Sequence, residues 1–261
     1  MKRTRLQSKL LRISVTLLII LAVIFSRIIY TAKYEAKVYA NECDSVACSL
    51  EEVGNEPPYI QGQVDFDLSQ VEYYSGREYT VVNDNKPFFL DEDLTTQSYE
   101  YYGELDKLGR CTQAYACIGK EMLPKDPREN ISSVRPTGYH SVIYNQIEGG
   151  YLYNRCHLIG YQLTGQNANK RNLITGTRYL NVVGMLQFED MVTNYIKETG
   201  NHVLYRVTPI FFEDDLVAQG VLMEAKSVED GGKGICFNIY AYNVQPGIFI
   251  YYSNGDSFAI K

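Results

Sequence analysis

The amino-acid sequence predicts an α+β fold in which an antiparallel sheet is flanked by helices. Apolar residues recur at helical spacing from Val182 to Tyr195, and Gly200 follows where a helix would end. Beyond Gly200, alternating runs of β-branched and aromatic residues are separated by glycine-containing turns, a pattern typical of antiparallel strands. The 261-residue chain has no internal repeat, and its length suits one well-buried domain after an N-terminal targeting segment.

Residues 1–30 are predicted to be a signal peptide or a signal anchor. Basic residues crowd positions 2–12, and the uncharged run 13–26 that follows is mostly Leu, Ile and Val. A basic region before an apolar stretch of this length directs export and holds the N-terminal end in the cytoplasm. The sequence Val38–Ala40 resembles a cleavage site but lies far from the apolar run. We therefore expect an extracellular, membrane-anchored protein, with secretion after cleavage as the alternative.

Residues 31–76 are predicted to form an acidic stalk, with the folded domain at 77–261. No Lys or Arg occurs from 38 to 76, while Asp and Glu accumulate there. A segment with few apolar residues and one sign of charge cannot bury enough surface to fold alone. The stalk would hold the domain away from the membrane.

The domain is expected to begin with a short strand at residues 79–82, followed by a turn-rich stretch. Residues 91–108 are predicted to be a helix or a loop with a helix. Two strands, at 141–144 and 151–153, are joined by the turn at Gly149-Gly150. After the helix, the remaining strands are predicted at 203–212, 221–227, 235–244 and 248–252.

Six cysteines in an exported chain leave two interpretations open. The spacing favours Cys43–Cys48, Cys111–Cys117 and Cys156–Cys236 as one disulfide pairing among many. The alternative is that all of them are free thiols. No two cysteines are spaced CxxC, so a zinc site is not predicted.

Residues 149–188 contain no Asp or Glu, although the chain carries 31 acidic residues and a formal charge of −6. That net charge argues against a protein that coats nucleic acid through its overall field. The acid-free window nevertheless holds four basic residues, and its many Asn and Gln side chains argue against simple burial. A surface that meets phosphate is therefore predicted, with these residues as its cations: Arg155, Lys170, Arg171 and Arg178.

His157 lies in the same window, two residues after Arg155 and next to an apparent strand end. A neutral imidazole with an ordinary pKa near 6.5 can take a proton from water. A guanidinium beside it would bind the phosphate under attack. His202, inside an alternating strand, is better explained as a structural residue.

No cluster of carboxylates for two metal ions is evident in the sequence. Asn181 offers one neutral oxygen ligand, and Mg²⁺ tolerates few protein ligands because it keeps most of its waters. Glu189 follows eight residues later, about 80° around the same predicted helix. By spacing alone, Asn181 as a helix cap and Glu189 as a solvated surface acid explain the pattern better.

Three motifs together resemble the DNA/RNA non-specific endonucleases of the ββα-metal class, in their exported Gram-positive branch. That family reads Asp-Arg-Gly-His, then Asn-Ile-Thr-Pro-Gln, then Leu-Asn and a Glu. The steps from Asn172 to Asn181 and from Asn181 to Glu189 match its spacing. The matching segments here are Tyr153–Tyr161, Asn172–Thr175 and Tyr179–Asn181.

The resemblance implies a ββα-metal nuclease core that cuts DNA and RNA without sequence preference and leaves 5′-phosphate ends. It implies that His157 is the general base and that Asn181 is the sole direct protein ligand of Mg²⁺, with Mn²⁺ as the alternative ion. Glu189 would orient metal-bound water, Arg155 would contact phosphate, and Asn172 would support the site.

The sequence departs from the family pattern at two places. Asn154 and Cys156 replace the family's Asp and Gly, which bears on the orientation of His157. Gly176-Thr177 stands where Pro-Gln is usual, so a side chain that helps to position the metal is lost. These departures support one rival, a catalytically silent protein that captures nucleic acid at the cell surface. A purely structural surface domain is a second rival, but it leaves the acid-free window unexplained.

Overall fold

The computed structural model describes residue 66 and residues 71–260, and the following account concerns these residues. The predicted signal segment, most of the predicted stalk, Cys43 and Cys48 lie outside them. In the described part of the chain, no helix is long and apolar enough to cross a membrane.

Antiparallel strands dominate the domain, as the alternating sequence pattern predicts. Numbered along the described residues, they are β1 (Tyr79–Val81), β2 (Tyr99–Tyr102), β3 (Ala114–Ile118), β4 (Tyr153–His157), β5 (Leu173–Thr177), β6 (Val203–Ile210), β7 (Gly220–Ser227), β8 (Cys236–Tyr242), β9 (Ile248–Ile250) and β10 (Ser257–Ala259). Six of them form the central sheet in the order β1-β8-β7-β6-β3-β2, and β4–β5 and β9–β10 form separate pairs.

The long helix follows β5 and packs on the central sheet. A π-helical segment, Leu180–Met185, runs directly into helix α2 (Leu186–Thr199), while the short helix α1 (Tyr161–Thr164) lies between β4 and β5. Phe188 and Ile196 of α2 are buried, and the ring of Phe188 lies 4.9 Å from that of Phe237 in β8. Gly200 ends α2 with a φ of 74°, which confirms the predicted helix end.

Two sequence-based assignments are wrong. Residues 91–108 contain no α-helix: a short 3₁₀ turn at Asp91–Asp93 precedes β2. β2 forms because Tyr99 pairs with Cys117 of β3 and packs on Tyr115, whose ring lies 5.6 Å away. Residues 141–144 are not a regular strand, since only Ile143 forms an isolated bridge, with Tyr151.

The four cysteines in the described residues are free thiols. The predicted disulfides Cys111–Cys117 and Cys156–Cys236 are therefore wrong, and the free-thiol alternative is confirmed for these four. Cys117 donates to Thr95 O at 3.0 Å, whereas Cys111 faces Leu173 O at 3.3 Å. The two thiols therefore contact different segments of the chain, Cys117 the segment at Thr95 and Cys111 the start of β5.

The domain makes contacts N-terminal to residue 77, within the segment assigned to the stalk. The ring of Phe66 stacks on Tyr240 at 5.9 Å, and Tyr242 Oη donates to Glu72 O at 2.7 Å. The end of the acidic segment therefore packs against the sheet.

A buried ion pair joins the two central strands β6 and β7. Arg206 and Glu224 are direct partners in the register, and Arg206 Nε lies 2.7 Å from Glu224 Oε2. Both side chains are almost fully buried. The backbone N–H of Phe88 donates to Glu224 Oε1 at 2.7 Å, which ties the segment before β2 to the sheet centre.

Candidate active site

A cleft of about 810 Å³ opens beside β4 and the start of the π-helical segment. Four arginines contribute to its wall, and among the described residues no Asp or Glu does. Tyr139, Tyr151, Asn154 and Asn181 also line it. The arginines are Arg128, Arg135, Arg155 and Arg178. An acidic protein thus presents a cationic cleft of the kind that phosphate contacts require.

Arg155 uses its donors to hold one wall of this cleft. Its guanidinium donates to Val134 O, to Ser132 O at 3.2 Å and to Tyr139 Oη at 3.2 Å, and it lies 4.4 Å above the Tyr139 ring. These contacts fix the loop that also carries Arg135. Arg155 is therefore placed at the cleft, as its predicted role needs, but most of its hydrogen bonds go to protein.

His157 is buried directly behind the cleft wall. Its Nε2 lies 3.0 Å from Asn167 O, and its Nδ1 lies 3.3 Å from Arg128 Nη2. A carbonyl oxygen only accepts and a guanidinium only donates, so the neutral ring carries its proton on Nε2 and its lone pair on Nδ1. Burial lowers the pKa of His157, and the charge of Arg128 acts in the same direction. The ring is thus a neutral base with a defined tautomer.

Arg128 is the functional candidate that sequence reasoning missed. It lies at the cleft and contacts the lone pair of His157, yet in the sequence it stands between Asp126 and Glu129, outside the acid-free window. Arg135 was missed because it also lies outside the acid-free window. Counting charges along the sequence overlooks arginines that reach the cleft from another segment.

Lys170 and Arg171, two of the predicted phosphate contacts, do not line the cleft. Lys170 is exposed elsewhere, and the guanidinium of Arg171 donates to Glu104 at 2.7 Å. Arg178 does line the cleft, and its Nε is buried without a hydrogen-bond partner among the described residues. The structure therefore brings together Arg155 and Arg178 from the predicted set.

Asn172 supports the loop that follows β4. It is fully buried, its Oδ1 accepts from Ile159 N at 2.9 Å, and its Nδ2 donates to Ile159 O at 2.9 Å. Its backbone carbonyl accepts from Leu158 N. Since these bonds hold the residues directly after His157, the side chain acts through packing and positioning.

Asn181 lies in the π-helical segment, at the edge of the cleft. Its Oδ1 accepts from Cys156 Sγ at 3.1 Å. A carbonyl oxygen has two lone pairs, so one remains for another partner. π-helical turns inside α-helices are frequent at functional sites.

Glu189 is buried in the first turn of α2 and is not among the residues that line the cleft. Burial raises its pKa to about 7, although hydrogen bonds from the side chain of Gln162 and the N–H of Gly160 oppose that shift. The charge of Arg128 also lowers it. Burial raises the pKa of the Cys156 thiol, and the charge of the nearby Glu189 raises it further.

The raised pKa of Glu189 makes a testable contribution to stability. With a folded pKa of about 7 and an unfolded one near 4.5, the carboxyl destabilises the fold increasingly as the pH rises between these values. Glu189→Gln should therefore gain stability over the wild type between pH 5 and pH 8, by up to about 3 kcal/mol.

Urea unfolding in EDTA at the two pH values measures this difference directly. Comparison of variant with wild type cancels the opposite contribution of His157, whose lowered pKa costs stability as the pH falls. Glu198→Gln, on the exposed side of α2, controls for loss of a negative charge from the helix. A gap between Glu189→Gln and wild type that does not widen with pH would contradict the assignment.

The donors at this site suit Mg²⁺ with few direct protein ligands. Among the described residues, no three His, Cys, Asp or Glu side chains are grouped so as to hold a metal ion. The available donors are the Asn181 amide oxygen, whose hydrogen-bond partner is a weak thiol donor, and the carboxylate of Glu189, whose charge acts on the same thiol. Mg²⁺ prefers oxygen and keeps several waters, so the donor set fits this ion.

The order of elements around the cleft is β4, β5 and then a helix, which is the arrangement that the sequence motifs imply. A family model described as DNA/RNA non-specific endonuclease matches residues 92–229. This chain belongs to that family. The match spans the cleft, the paired strands and α2, and it confirms the resemblance inferred from the three motifs.

Solved structures of this nuclease family share the fold. NucA from Streptococcus agalactiae, crystallised with no metal bound, is 26% identical with a TM-score of 0.60, over 68% of this chain and 85% of NucA. Sda1 nuclease with a bound zinc ion is also 26% identical, with a TM-score of 0.58, over 70% of this chain and 97% of Sda1. The fold is therefore α+β with a ββα-metal nuclease core.

Proposed function

We propose that this chain is an exported, Mg²⁺-dependent endonuclease that hydrolyses phosphodiester bonds of DNA and RNA without sequence preference. His157 is its general base and Asn181 its metal ligand. The observation that carries the proposal is the fixed tautomer of His157, whose Nε2 donates to Asn167 O, so that the lone pair of the ring lies on Nδ1, the nitrogen that faces Arg128. The basic segment at the N-terminus of the sequence supports export.

Nδ1 of His157 would remove the proton from the attacking water. In the structure this nitrogen faces Arg128, which also lines the cleft. A phosphate that enters the cleft competes for the Arg128 guanidinium, because a charge-assisted bond to phosphate is stronger than one to a neutral imidazole. Substrate binding would thereby uncover the base and hold the phosphate beside it.

Mg²⁺ would be held by Asn181, with Glu189 acting through a bound water. When bound, the ion stabilises the charge that develops on the leaving oxygen. NucA has also been solved with a magnesium ion bound, and Sda1 with zinc. The residues of this chain would position the ligand oxygen and hold the base.

The deciding experiment is cleavage of supercoiled plasmid by the purified domain, with Mg²⁺ and with excess EDTA, repeated on single-stranded RNA. We expect nicked and linear DNA, degraded RNA, 5′-phosphate ends and no cleavage in EDTA. Retention of DNA without cleavage at any Mg²⁺ or Mn²⁺ concentration would favour the silent capture protein instead. Neither binding nor cleavage would contradict both functions.

The cleft also predicts which cations neutralise phosphate. Binding of the uncleaving His157→Ala variant to duplex DNA should weaken with salt, with a log-log slope of about −0.9 for each phosphate neutralised. Changing Arg135 and Arg178 together to Gln should make the slope shallower by about two. The matched pair Lys170 and Arg171, which lies outside the cleft lining, should change it much less.

Fluorescence anisotropy over a salt series, with two unrelated sequences of equal length, measures these slopes. Affinity should differ little between the sequences, because phosphate contacts carry no sequence information. A larger effect from the Lys170 and Arg171 pair than from Arg135 and Arg178 would move the binding surface away from the cleft.

A further inference from the structure

The side chain of Cys156 lies directly against Asn181. Its Sγ is 3.1 Å from Asn181 Oδ1 and 3.4 Å from Met185 Sδ, and the residue is almost completely buried. The same Sγ lies 3.7 Å from His157 O. A thiol has one proton, and Asn181 Oδ1 is the nearest oxygen acceptor and a better acceptor than the Met185 sulfur. A thiol in buried, apolar surroundings is inert and keeps its proton at neutral pH, and Cys156 is buried in this way.

Gly176 makes the space that this thiol occupies. A Cβ at position 176 would lie 2.6 Å from Cys156 Cβ, 3.2 Å from Cys156 Sγ and 3.4 Å from Leu180 Cδ2. Any side chain there would force Cys156 to shift, because real Cβ atoms do not approach so closely. The thiol and the glycine across the β4–β5 pair are therefore a matched set, and together they hold Sγ against Asn181.

An asparagine that binds a cation needs its amide in one orientation. The amide oxygen and nitrogen have nearly the same shape, but a rotated amide would present two N–H donors to the cation. A buried donor beside Oδ1 favours the productive orientation and leaves the second lone pair of that oxygen free. Cys156 is such a donor, and its strand fixes its position.

We propose that Cys156 is a positioning residue that keeps the amide oxygen of Asn181 available to the metal ion. The proposal rests on the proposed role of Asn181 as the Mg²⁺ ligand. The proposal gives a role to Cys156, which stands where the family has glycine. It also explains why position 176 must lack a side chain.

The test is calorimetric titration of Mg²⁺ into the intact domain without nucleic acid, so that its readout does not depend on cleavage. Cys156→Ala should bind Mg²⁺ about tenfold more weakly, the lower end of what loss of a ligand-orienting hydrogen bond costs. Cys156→Ser keeps an O–H donor and should stay within about threefold of wild type. Gly176→Ala, which displaces the thiol, should weaken binding as well.

Cys117→Ala is the matched control, since it also removes a buried thiol that donates to a carbonyl, in β3 and outside the cleft lining. It should leave Mg²⁺ affinity unchanged. Wild-type affinity in both Cys156→Ala and Gly176→Ala, with impaired binding in Asn181→Ala, would overturn this proposal alone. A serine variant as weak as alanine would do so too, because the thiol would then act only by packing. Wild-type affinity in Asn181→Ala would instead overturn the metal site on which the proposal rests.

Discussion

His157→Ala should lose roughly 10² to 10⁴-fold in the rate of plasmid cleavage, the usual effect of removing a general base. The imidazole acts on water rather than on the duplex, so DNA binding should remain close to that of the wild type. The ring is buried between Asn167 and Arg128, and its loss leaves a small cavity; some loss of thermal stability is therefore expected. Single-turnover kinetics at saturating enzyme separate the chemical step from binding.

His202→Ala is the control for that experiment. This histidine is also partly buried and ion-paired, with its Nδ1 2.6 Å from Glu229, but it does not line the cleft. The His202→Ala substitution should lower thermal stability without a comparable loss in the rate of plasmid cleavage. A His157→Ala variant that retained more than a tenth of the wild-type rate would show that the base is another group.

Asn181→Ala should weaken Mg²⁺ binding by at least about 10²-fold, since loss of partners that only orient a ligand already costs 10 to 100-fold. Cleavage should then require a correspondingly higher Mg²⁺ concentration. Asn181→Asp keeps an oxygen at the same place and should retain binding. Glu189→Gln should weaken binding less than Asn181→Ala, because the carboxylate is expected to act through water.

Calorimetry and the Mg²⁺ dependence of cleavage should give the same ranking of these variants. Asn201→Ala, an amide outside the cleft, controls for loss of an asparagine side chain. Equal Mg²⁺ affinity in wild type and Asn181→Ala would refute the metal site. A larger effect of Glu189→Gln than of Asn181→Ala would make the carboxylate the direct ligand.

The parts of the fold that follow from local periodicity were predictable from sequence. Helix α2 and strands β6 to β8 lie where their apolar spacing places them. The strand β3 was not foreseen, because its five residues are all buried and show no alternation. The sequence predicts a helix or a loop with a helix where β2 lies, because the pairing of β2 with β3 is a tertiary contact that its own Tyr-rich sequence does not reveal.

Some residues of the candidate site could likewise be predicted from the sequence, and others could not. The sequence predicts His157, Asn181 and Glu189 as site residues because three fixed spacings agree, and the family match spans all three positions. Arg128 was not foreseen: its approach to His157 joins positions 29 residues apart through an irregular loop. The sequence alone also does not reveal that the guanidinium of Arg155 donates hydrogen bonds to backbone carbonyls of that loop.

The Arg206–Glu224 pair at the middle of the central sheet has a consequence for how the chain finds its register. Any slip of β6 past β7 would separate the two charges and leave each stranded in an apolar interior, at a cost far above that of one lost hydrogen bond. The pair therefore selects against misaligned strands more than it adds to net stability. We expect the two positions to be substituted together or not at all. Replacing one residue alone would leave the other charge buried without the opposite charge that it now faces.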